Sequence, residues 1–423
     1  DAQPDLSDTQ VIIYSKWDRS PDIVEDQVTY PIVSAMLGAP QVRAVRGFSD
    51  FGYSFVYVIF EDGTDIYWAR TRTLEYLSGV LSNLPEGVKT ELGPDASGLG
   101  WVYQYALVDT SGKRSLAEIR SYQDWYLRYY LKSVKGVAEV ASIGGFGRQY
   151  QVNVDPNRLR NYGLPIQKVV EAVRGGNSET GGRLIEFGGT EYMVRGRGYA
   201  RSIADIENIV VSASEGGTPI RIRDIGQVVV GPDLRRGVSD LDGTGEAVSG
   251  IVVMRQGQNA LDVIDRVKAK IAQVEPGLPE GMKVVPIYDR SDLIRRAVSN
   301  VSETLVEVIL TVVFIVLLFL LHIPSALIPI ITIPVAVLIA FIPFKALGIT
   351  ANIMSLGGIA IAMGELVDAA IVVVEQTHKK LEERGTAHYR AVVVEAVKEV
   401  APASFWALLV IAISFLPILT LEA

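Results

Sequence analysis

Apolar residues in the N-terminal part of the chain follow two periods in turn. A two-residue period is typical of strands with one buried face, and a period near 3.6 residues is typical of amphipathic helices. The pattern predicts, in order, strand Val11–Trp17, helix Pro21–Leu37, strands Val42–Phe48 and Ser54–Phe60, helix Ile66–Leu84 and strand Val88–Leu92.

The same order of elements recurs further along the chain. The second set consists of strand Tyr103–Val108, helix Ser115–Val134, strands Val137–Ile143 and Gln149–Val154, and then, far downstream, helix Ala260–Val274 and strand Met282–Tyr288. A further helix is predicted around Pro165–Val173. Because an order of elements that occurs twice indicates an internal duplication, we predict two βαββαβ units of the split βαβ, ferredoxin-like type.

A Gly-rich, strand-dominated segment interrupts the second unit at residues 180–245. Its predicted strands are Ile209–Ala213, Ile220–Ile222 and Gln227–Val230. Insertions of this kind usually lie on the surface and carry contacts. We therefore predict an appendage that contacts another subunit or another protein.

The last part of the chain contains four long apolar runs. They predict transmembrane spans at about residues 304–322, 326–344, 353–376 and 402–421, each close to the ~20 residues that cross a bilayer. The alternative is a set of buried helices in a large soluble core, which four such runs in succession argue against. The predicted fold class is therefore α+β, with ferredoxin-like units followed by an all-α polytopic transmembrane bundle.

These patterns give a domain organisation and an orientation. The predicted units are residues 1–98, 99–179, 180–245 and 246–298, followed by the membrane region at 299–423. The loop after the third span carries Lys379, Lys380, Arg384 and Arg390, which predicts that it is cytoplasmic. Residues 1–298 then lie outside, in the periplasm of a Gram-negative cell. The sequence starts without a signal peptide that could export these residues, so we expect a transmembrane helix before Asp1. We also expect the chain to continue after Ala423.

Composition excludes several classes of function. The net charge of -8 argues against nucleic acid as a partner, and the lack of cysteine excludes disulfides and thiolate metal sites. The chain's histidines, His322, His378 and His388, all fall in predicted cytoplasmic loops. The sequence shows no nucleotide-binding or zinc motif. We therefore predict no enzyme activity, no catalytic residue and no cofactor.

Three carboxylates in the third predicted span suggest chemistry within the membrane. Glu365, Asp368 and Glu375 have spacings that place them on roughly one helix face. A carboxylate at this depth costs about 2.5–3.5 kcal/mol, and such groups usually face a bundle interior or a water file. We predict a proton relay. A structural hydrogen bond from Asp368 and an interfacial position for Glu375 are the alternatives, and the two kinds of role are evenly balanced for Glu365.

Methionine is the only soft metal ligand type in the predicted periplasmic region. Thioethers suit Cu(I), but single methionines are more often core residues, and we expect that of Met36, Met193, Met254 and Met282. Met354 and Met363 in the third span are better placed.

Four stretches resemble the heavy-metal branch of the resistance-nodulation-division (RND) pumps. They are Pro4–Asp8, Tyr57–Asp65, Glu91–Asp95 and Asn352–Gly358. The resemblance covers essentially the whole chain and is closest to the copper/silver (Cus-type) inner-membrane pumps, with the cobalt-zinc-cadmium (Czc-type) pumps more distant. It implies a homotrimer in the bacterial inner membrane that works with a periplasmic adaptor and an outer-membrane channel. The segment 180–245 then corresponds to the docking subdomain.

The resemblance also assigns roles to single residues. Asp368 matches the family's proton-relay aspartate, and Glu375 matches a later glutamate of the same motif. Czc-type pumps have a further aspartate where this chain has Ala362, and multidrug relatives have two adjacent aspartates where it has one. Met354 matches one of the methionines of the copper/silver pumps, and the resemblance therefore makes it the predicted metal contact. The other matching positions in this chain are Leu234, Leu366 and Val373.

Together these observations predict proton-driven efflux of heavy-metal cations, either copper and silver or divalent zinc, cobalt, nickel and cadmium. Two alternatives stay open. One is an RND pump for organic substrates, and the other is a membrane scaffold that binds a partner without transport.

Overall fold

The structure is a computed structural model that describes residues 5, 7–213, 216–235, 237–320, 323–347, 352–385 and 388–415. Several parts of the sequence predictions lie outside the described residues. They include Pro4 and Leu6 of the first family motif, His322, and residues 416–421 of the fourth predicted span.

The first sheet has strands in the order β2-β3-β1-β4, with every pair antiparallel. Its elements are β1 (Gln10–Lys16), α1 (Pro21–Val24), α2 (Tyr30–Met36), β2 (Val42–Asp50), β3 (Tyr53–Phe60), α3 (Ile66–Leu81) and β4 (Lys89–Leu92). A π-helical turn, Glu25–Thr29, joins α1 to α2. Alternate residues of β1 and β3 are buried against the helices, as the two-residue period predicts. The predicted elements of this part are present within a few residues of their expected bounds.

The second sheet has the order β14-β5-β13-β6, again antiparallel throughout. Its elements are β5 (Trp101–Asp109), α4 (Leu116–Tyr122), α5 (Arg128–Lys132), β6 (Val137–Ile143), β13 (Val248–Met254), α10 (Ala260–Val274) and β14 (Met282–Asp289). A π-helical turn, Gln123–Leu127, makes α4 and α5 one continuous helix.

One strand of the second sheet differs from the prediction. The sequence order implied that Gln149–Val154 follows β6 in the sheet, but the third strand of the unit is β13, where Ile251 pairs with Ala141 and with Gln104. The predicted strand exists as β7 (Arg148–Val154) and pairs instead with β12 (Gly226–Pro232). Every residue of β13 is buried, so it has no two-residue period by which to find it.

The segment between β6 and β13 has its own small core. Its remaining elements are α6 (Pro156–Asn161), α7 (Ile166–Gly176), β8 (Thr180–Phe187), β9 (Thr190–Gly196), α8 (Ile203–Glu207), β10 (Val210–Ala213), β11 (Pro219–Arg221) and α9 (Ile222–Ile225). Val169 of α7 packs in one apolar cluster with Ile222 and with Val228 of β12. The hairpin β8–β9 lies outside this cluster, and each described side chain from Gly181 to Gly196 is exposed.

Four long helices end the described chain. They are α11 (Arg290–Leu320), α12 (Ile323–Leu347), α13 (Ile353–Arg384) and α14 (Tyr389–Ser414). Among the described residues, two helical stretches are long and apolar enough to cross a membrane, Met354–Arg384 and Tyr389–Ser414, and Ile331–Leu347 is a shorter apolar stretch. The two earlier spans therefore stay a prediction.

Candidate functional site on helix α13

Helix α13 is defined at both ends by local hydrogen bonds. The Asn352 side chain accepts a hydrogen bond from the Ser355 N–H at 2.9 Å, and the Asn352 N–H donates to Ser355 Oγ at 2.9 Å. This capping box satisfies donors that the first helical turn leaves free. The helix stops at Gly385, which has a φ of 71°. The helix thus runs eight residues beyond the predicted end of the third span at 376.

One face of α13 is packed. Met363 and Ile359 contact a small apolar cluster that contains Ile333 of α12, and these three side chains are at most 8% exposed. Val374 is also buried. The position of Met363 in this cluster makes it a packing residue, and it does not fit the role of an accessible metal contact.

The three predicted relay carboxylates lie on a different face. Glu365, Asp368 and Glu375 are all exposed. At about 100° per residue they fall within a sector of about 80°, turned away from the packed face. Within the described part of the chain, the structure gives none of them a hydrogen bond or an ion pair. The structure therefore places the three carboxylates together on one open face, without a partner among the described residues.

Other residues extend this open face along the helix. Met354, Ile361, Asp368 and Glu375 follow one another at seven-residue intervals and are all exposed. Val372 lies beside them and is also exposed. We call this set, together with Glu365, the acidic face. A seven-residue repeat is the spacing with which one helix packs along another.

Small residues next to the acidic face also have open space around them. A Cβ atom added at Gly357, Gly358 or Gly364 would meet no atom within 4 Å. Small residues allow close approach of membrane helices, but here they are not used for packing within the described residues. The acidic face and its glycines thus form a surface that nothing described in this chain covers.

The predicted metal contact is also open. Met354 is 68% exposed and lies on the acidic face. Among the described residues, no group of three or more His, Cys, Asp or Glu side chains is placed to hold a metal ion. Met36, Met254 and Met282 are buried in the cores of the two sheets, as expected of core residues, whereas Met193 is exposed on the β8–β9 hairpin.

Charged residues beyond the apolar part of α13 connect it to α14. Lys380 pairs with Glu395 at 3.1 Å and also with Glu399, and Arg384 pairs with Glu395 at 2.6 Å. Lys380 donates the hydrogen bond in both contacts, and the two carboxylates accept. Lys380 and Arg384, which in the sequence only indicated a cytoplasmic loop, therefore also hold α13 and α14 together as a hairpin. Their partners on α14 lie four residues apart.

A polar cavity lies where the two sheets and the inserted segment meet. It has a volume of about 570 Å³, and its lining includes Lys16, Asp124, Arg235 and the Gly-rich turn 144–147. Asp124 Oδ2 accepts a hydrogen bond from Arg120 Nε at 2.8 Å, while Oδ1 is buried without a partner in the described part of the chain. The nearby cations make this cavity a poor place for a metal cation.

Comparison with known proteins identifies the class. The model of the AcrB/AcrD/AcrF family matches residues 1–423, and the chain belongs to this family of RND proteins.

Individual relatives refine this assignment. The chain is 52% identical to the cation efflux system protein CusA of Escherichia coli K12, over 100% of this chain and 41% of that protein. It is 38% identical to the cobalt-zinc-cadmium resistance protein CzcA of Cupriavidus metallidurans, with the same coverage. A crystal structure of a heavy metal efflux pump superimposes with a TM-score of 0.88 at 33% identity, over 100% of this chain and 41% of that chain. The predicted resemblance is confirmed, and the chain spans less than half the length of these relatives.

Proposed function

We propose that this chain is part of an inner-membrane pump that exports heavy-metal cations in exchange for protons. The observation that carries the proposal is the acidic face of α13. A carboxylate is costly to place in the hydrocarbon region of a membrane. Carboxylates on a helix long enough to cross a membrane therefore indicate a function. The names of the relatives, which refer to cation efflux and metal resistance, supply the class of substrate.

Asp368 has the central role in the proposed mechanism. We assign proton uptake from the periplasmic side to its carboxylate, because an acid within a membrane span normally faces the bundle interior or a water file. Uptake removes one negative charge from the helix face, and release to the cytoplasm restores it. Glu365 and Glu375 flank Asp368 along the same face and extend the proton path in both directions. An alternation of charge on one helix face gives the bundle two states to move between.

The substrate is a heavy-metal cation, either copper and silver or a divalent ion such as zinc, cobalt, nickel or cadmium. Met354 is the one exposed thioether on the acidic face. At the other positions where copper/silver pumps carry methionine, this chain has Leu234, Leu366 and Val373. A thioether favours a soft monovalent ion, and a single one gives a transient contact rather than a site.

The two sheets support a porter region in the periplasm. Their strand orders correspond to two ferredoxin-like units, with β13 in place of β7 in the second. We place the docking insertion at residues 148–232 rather than 180–245, because β7 and α7 share sheet and core contacts with the inserted segment. The exposed β8–β9 hairpin is suited to contact a neighbouring subunit, since an isolated two-stranded hairpin is marginally stable in water.

We also propose that the pump is a homotrimer that works with a periplasmic adaptor and an outer-membrane channel. Helix α3 carries Tyr67, Leu74 and Leu81 at seven-residue intervals, each between 44% and 54% exposed. An apolar stripe with this spacing is suited to pack against the same helix of other subunits. Helix α3 is regular over 16 residues, which keeps this stripe straight. The helix formed by α1 and α2 is instead interrupted by the π-helical turn.

The test is metal-stimulated proton flux into liposomes that contain the full-length pump. Cu(I), Ag(I), Zn(II), Co(II), Ni(II) and Cd(II) are supplied one at a time. We expect flux with a subset of these ions, and we expect Asp368→Asn to reduce it by about 100-fold or more, because proton transfer by a positioned group contributes that much. Glu307→Gln is the matched control, since Glu307 is an exposed acid on α11 away from the acidic face.

Other outcomes would favour the alternatives. Proton flux driven by organic cations and not by metals would indicate an RND pump for organic substrates. Tight binding of a periplasmic partner without any proton flux from a correctly folded trimer would indicate a scaffold. Normal metal-dependent flux in the Asp368→Asn variant would contradict the relay.

A further inference from the structure

Strand β14 passes into helix α11 without an intervening loop. The strand ends at Asp289 and the helix begins at Arg290. Ser291 is fully buried, and Ile294 belongs to the apolar core of the second sheet. The first turn of α11 is therefore part of the folded sheet region, while the rest of the helix continues towards α12 and α13.

Lys268 of α10 holds this junction from one side. Its ammonium group pairs with the Asp289 carboxylate and lies 3.1 Å from Ser291 Oγ. Asp289 also accepts a hydrogen bond from the Ser291 N–H at 2.9 Å. Burial raises the pKa of Asp289, but the hydrogen bonds from Lys268 and Ser291 outweigh burial and hold that pKa below its ordinary value. The Asp289 carboxylate is therefore ionised at neutral pH.

Arg290 holds the junction from the other side. Arg290 is only 5% exposed, and its Nη1 atom donates a hydrogen bond to the Leu99 carbonyl oxygen at 2.6 Å. Leu99 lies in the linker between β4 and β5, which connects the two sheets. This hydrogen bond is partly buried and its donor is charged, so breaking it is unfavourable. The first turn of α11 and this linker are therefore held together.

The linker is bonded in turn to helix α3 of the first sheet. The Tyr67 hydroxyl donates to Asp95 Oδ2 at 3.1 Å, and Arg70 Nη1 donates to the Gly93 carbonyl at 2.7 Å. Helix α11 also packs against α13, which carries the acidic face. A continuous set of contacts therefore runs from α13 through α11 and the linker to α3.

We propose that Arg290 and Lys268 form a joint that passes movement of α11 to the linker between the two sheets, and so ties proton uptake on α13 to metal movement in the sheet region. The joint has this role only in a proton-driven pump, so the inference rests on the proposed function. Arg290 and Lys268 are positioning residues, because they act through the elements that they hold together.

The test measures the number of metal ions moved per proton by the full-length pump in liposomes. Arg290→Met keeps an unbranched side chain close in length to the arginine stem and removes the guanidinium donors. We expect it to lower the ratio of metal ions to protons by about fivefold, in line with measured couplings between distant sites. Arg290→Lys retains a donor for the Leu99 carbonyl and should restore part of the ratio. The control is Arg295→Gln, which removes an ion pair to Asp265 between side chains that are both about half exposed.

A general loss of folding would lower metal and proton flux together and leave their ratio unchanged. If Arg290→Met does not assemble, Lys268→Met decides the question, because the Lys268 side chain is 33% exposed and its loss is better tolerated. An unchanged ratio in the assembled joint variants, in a pump with normal metal-dependent flux, would overturn the joint alone. The absence of metal-dependent proton flux in the unmodified pump would overturn the proposed function, and the joint with it.

Discussion

Acidic side chains in the second sheet and on helix α13 differ in exposure and in hydrogen bonding. Asp109 and Asp289 accept several hydrogen bonds each from nearby donors in the sheet region, and their side chains are 2% and 13% exposed. Glu365, Asp368 and Glu375 are exposed and have no such partners in the described part of the chain. Asp109 and Asp289 are therefore satisfied within the sheet region, whereas the three acids of α13 have no such partners among the described residues. Acids of the first kind stabilise a fold, and acids of the second kind are available for function.

The same contrast separates two exposed stripes with a seven-residue repeat. The stripe on α3 is apolar, and the acidic face of α13 is charged. If the α3 stripe is the trimer contact, Leu74→Asp should dissociate the trimer, because it would bury an unpaired charge at an apolar seam. Leu74 is 52% exposed, so the fold of the single subunit should survive. The mass of the purified pump in detergent, measured by light scattering, gives the answer.

Gly79→Asp is the matched control for this prediction. It places the same charge on α3, at a position where an added Cβ meets nothing within 4 Å and which lies about 140° around the helix from Leu74. We expect this variant to stay trimeric. A Leu74→Asp variant that also stays trimeric would place the subunit contact elsewhere, and the β8–β9 hairpin would be the next surface to test.

Local sequence pattern predicted most of this fold, and it missed the parts that depend on distant contacts. Strands β1 and β3 were found from alternation because each has one buried face. Strand β13 was missed because it is buried on both faces and reaches β6 only after an insertion of about a hundred residues. The chain-neighbour strand β7 was placed in the sheet instead, following the usual preference for consecutive strands to pair.

The β8–β9 hairpin was missed although the sequence carried a signal for it. Gly188 and Gly189 join the two strands and have φ values of 62° and 75°. Two glycines between strand-like runs are a strong signal for a tight hairpin turn, since both central residues need positive φ. For the candidate site, spacing alone placed Glu365, Asp368 and Glu375 on one face. What covers that face depends on contacts beyond the described residues, which no local pattern encodes.

Two glycines give a second test of the contrast between the two regions. Gly250 of β13 pairs with Tyr105, and an added Cβ would overlap the fully buried Tyr105 ring. The ring cannot move away easily, because its hydroxyl donates a hydrogen bond to Gln123 at 2.9 Å. Gly250→Ala should therefore destabilise the protein by about 1–3 kcal/mol, as overpacked cores generally do. Thermal unfolding of the full-length pump measures the loss.

Gly358→Ala is the counterpart on α13. An added Cβ there has open space in this chain, and alanine favours a helix over glycine by about 1 kcal/mol. We therefore expect no loss of stability, because the added Cβ overlaps no atom of the described residues. If Gly358→Ala nevertheless reduces transport or unfolds at a lower temperature, another helix of the complete pump packs closely on the acidic face. An unaffected variant would mean that the face stays open.

The smallest effect is expected at Asp109, where the pH dependence of stability tests whether local hydrogen bonds stabilise the charged carboxylate. Its carboxylate accepts hydrogen bonds from Ser111 Oγ at 2.6 Å, from the Arg114 N–H at 3.0 Å and from the Arg114 guanidinium at 3.1 Å. The Ser111 hydrogen bonds, and then the Arg114 backbone and charge, lower the pKa of Asp109 from 3.8 to about 2 despite its burial. Above about pH 4 this carboxylate is ionised in both folded and unfolded chains, and its stabilising contribution is complete.

As the pH falls from about 4 to about 2, the unfolded chain binds a proton at Asp109 before the folded chain does, so this contribution is lost. We expect Asp109→Asn to be less stable than the parent at neutral pH and to lose less stability across that acidic window. The control is Asp62→Asn, since the Asp62 side chain is 85% exposed, and it should keep the parent's dependence. Thermal unfolding at a series of pH values separates the two. If Asp109→Asn kept the parent's full acid dependence, the local hydrogen bonds would not stabilise the charged form, and the contrast with α13 would lose its basis at this residue.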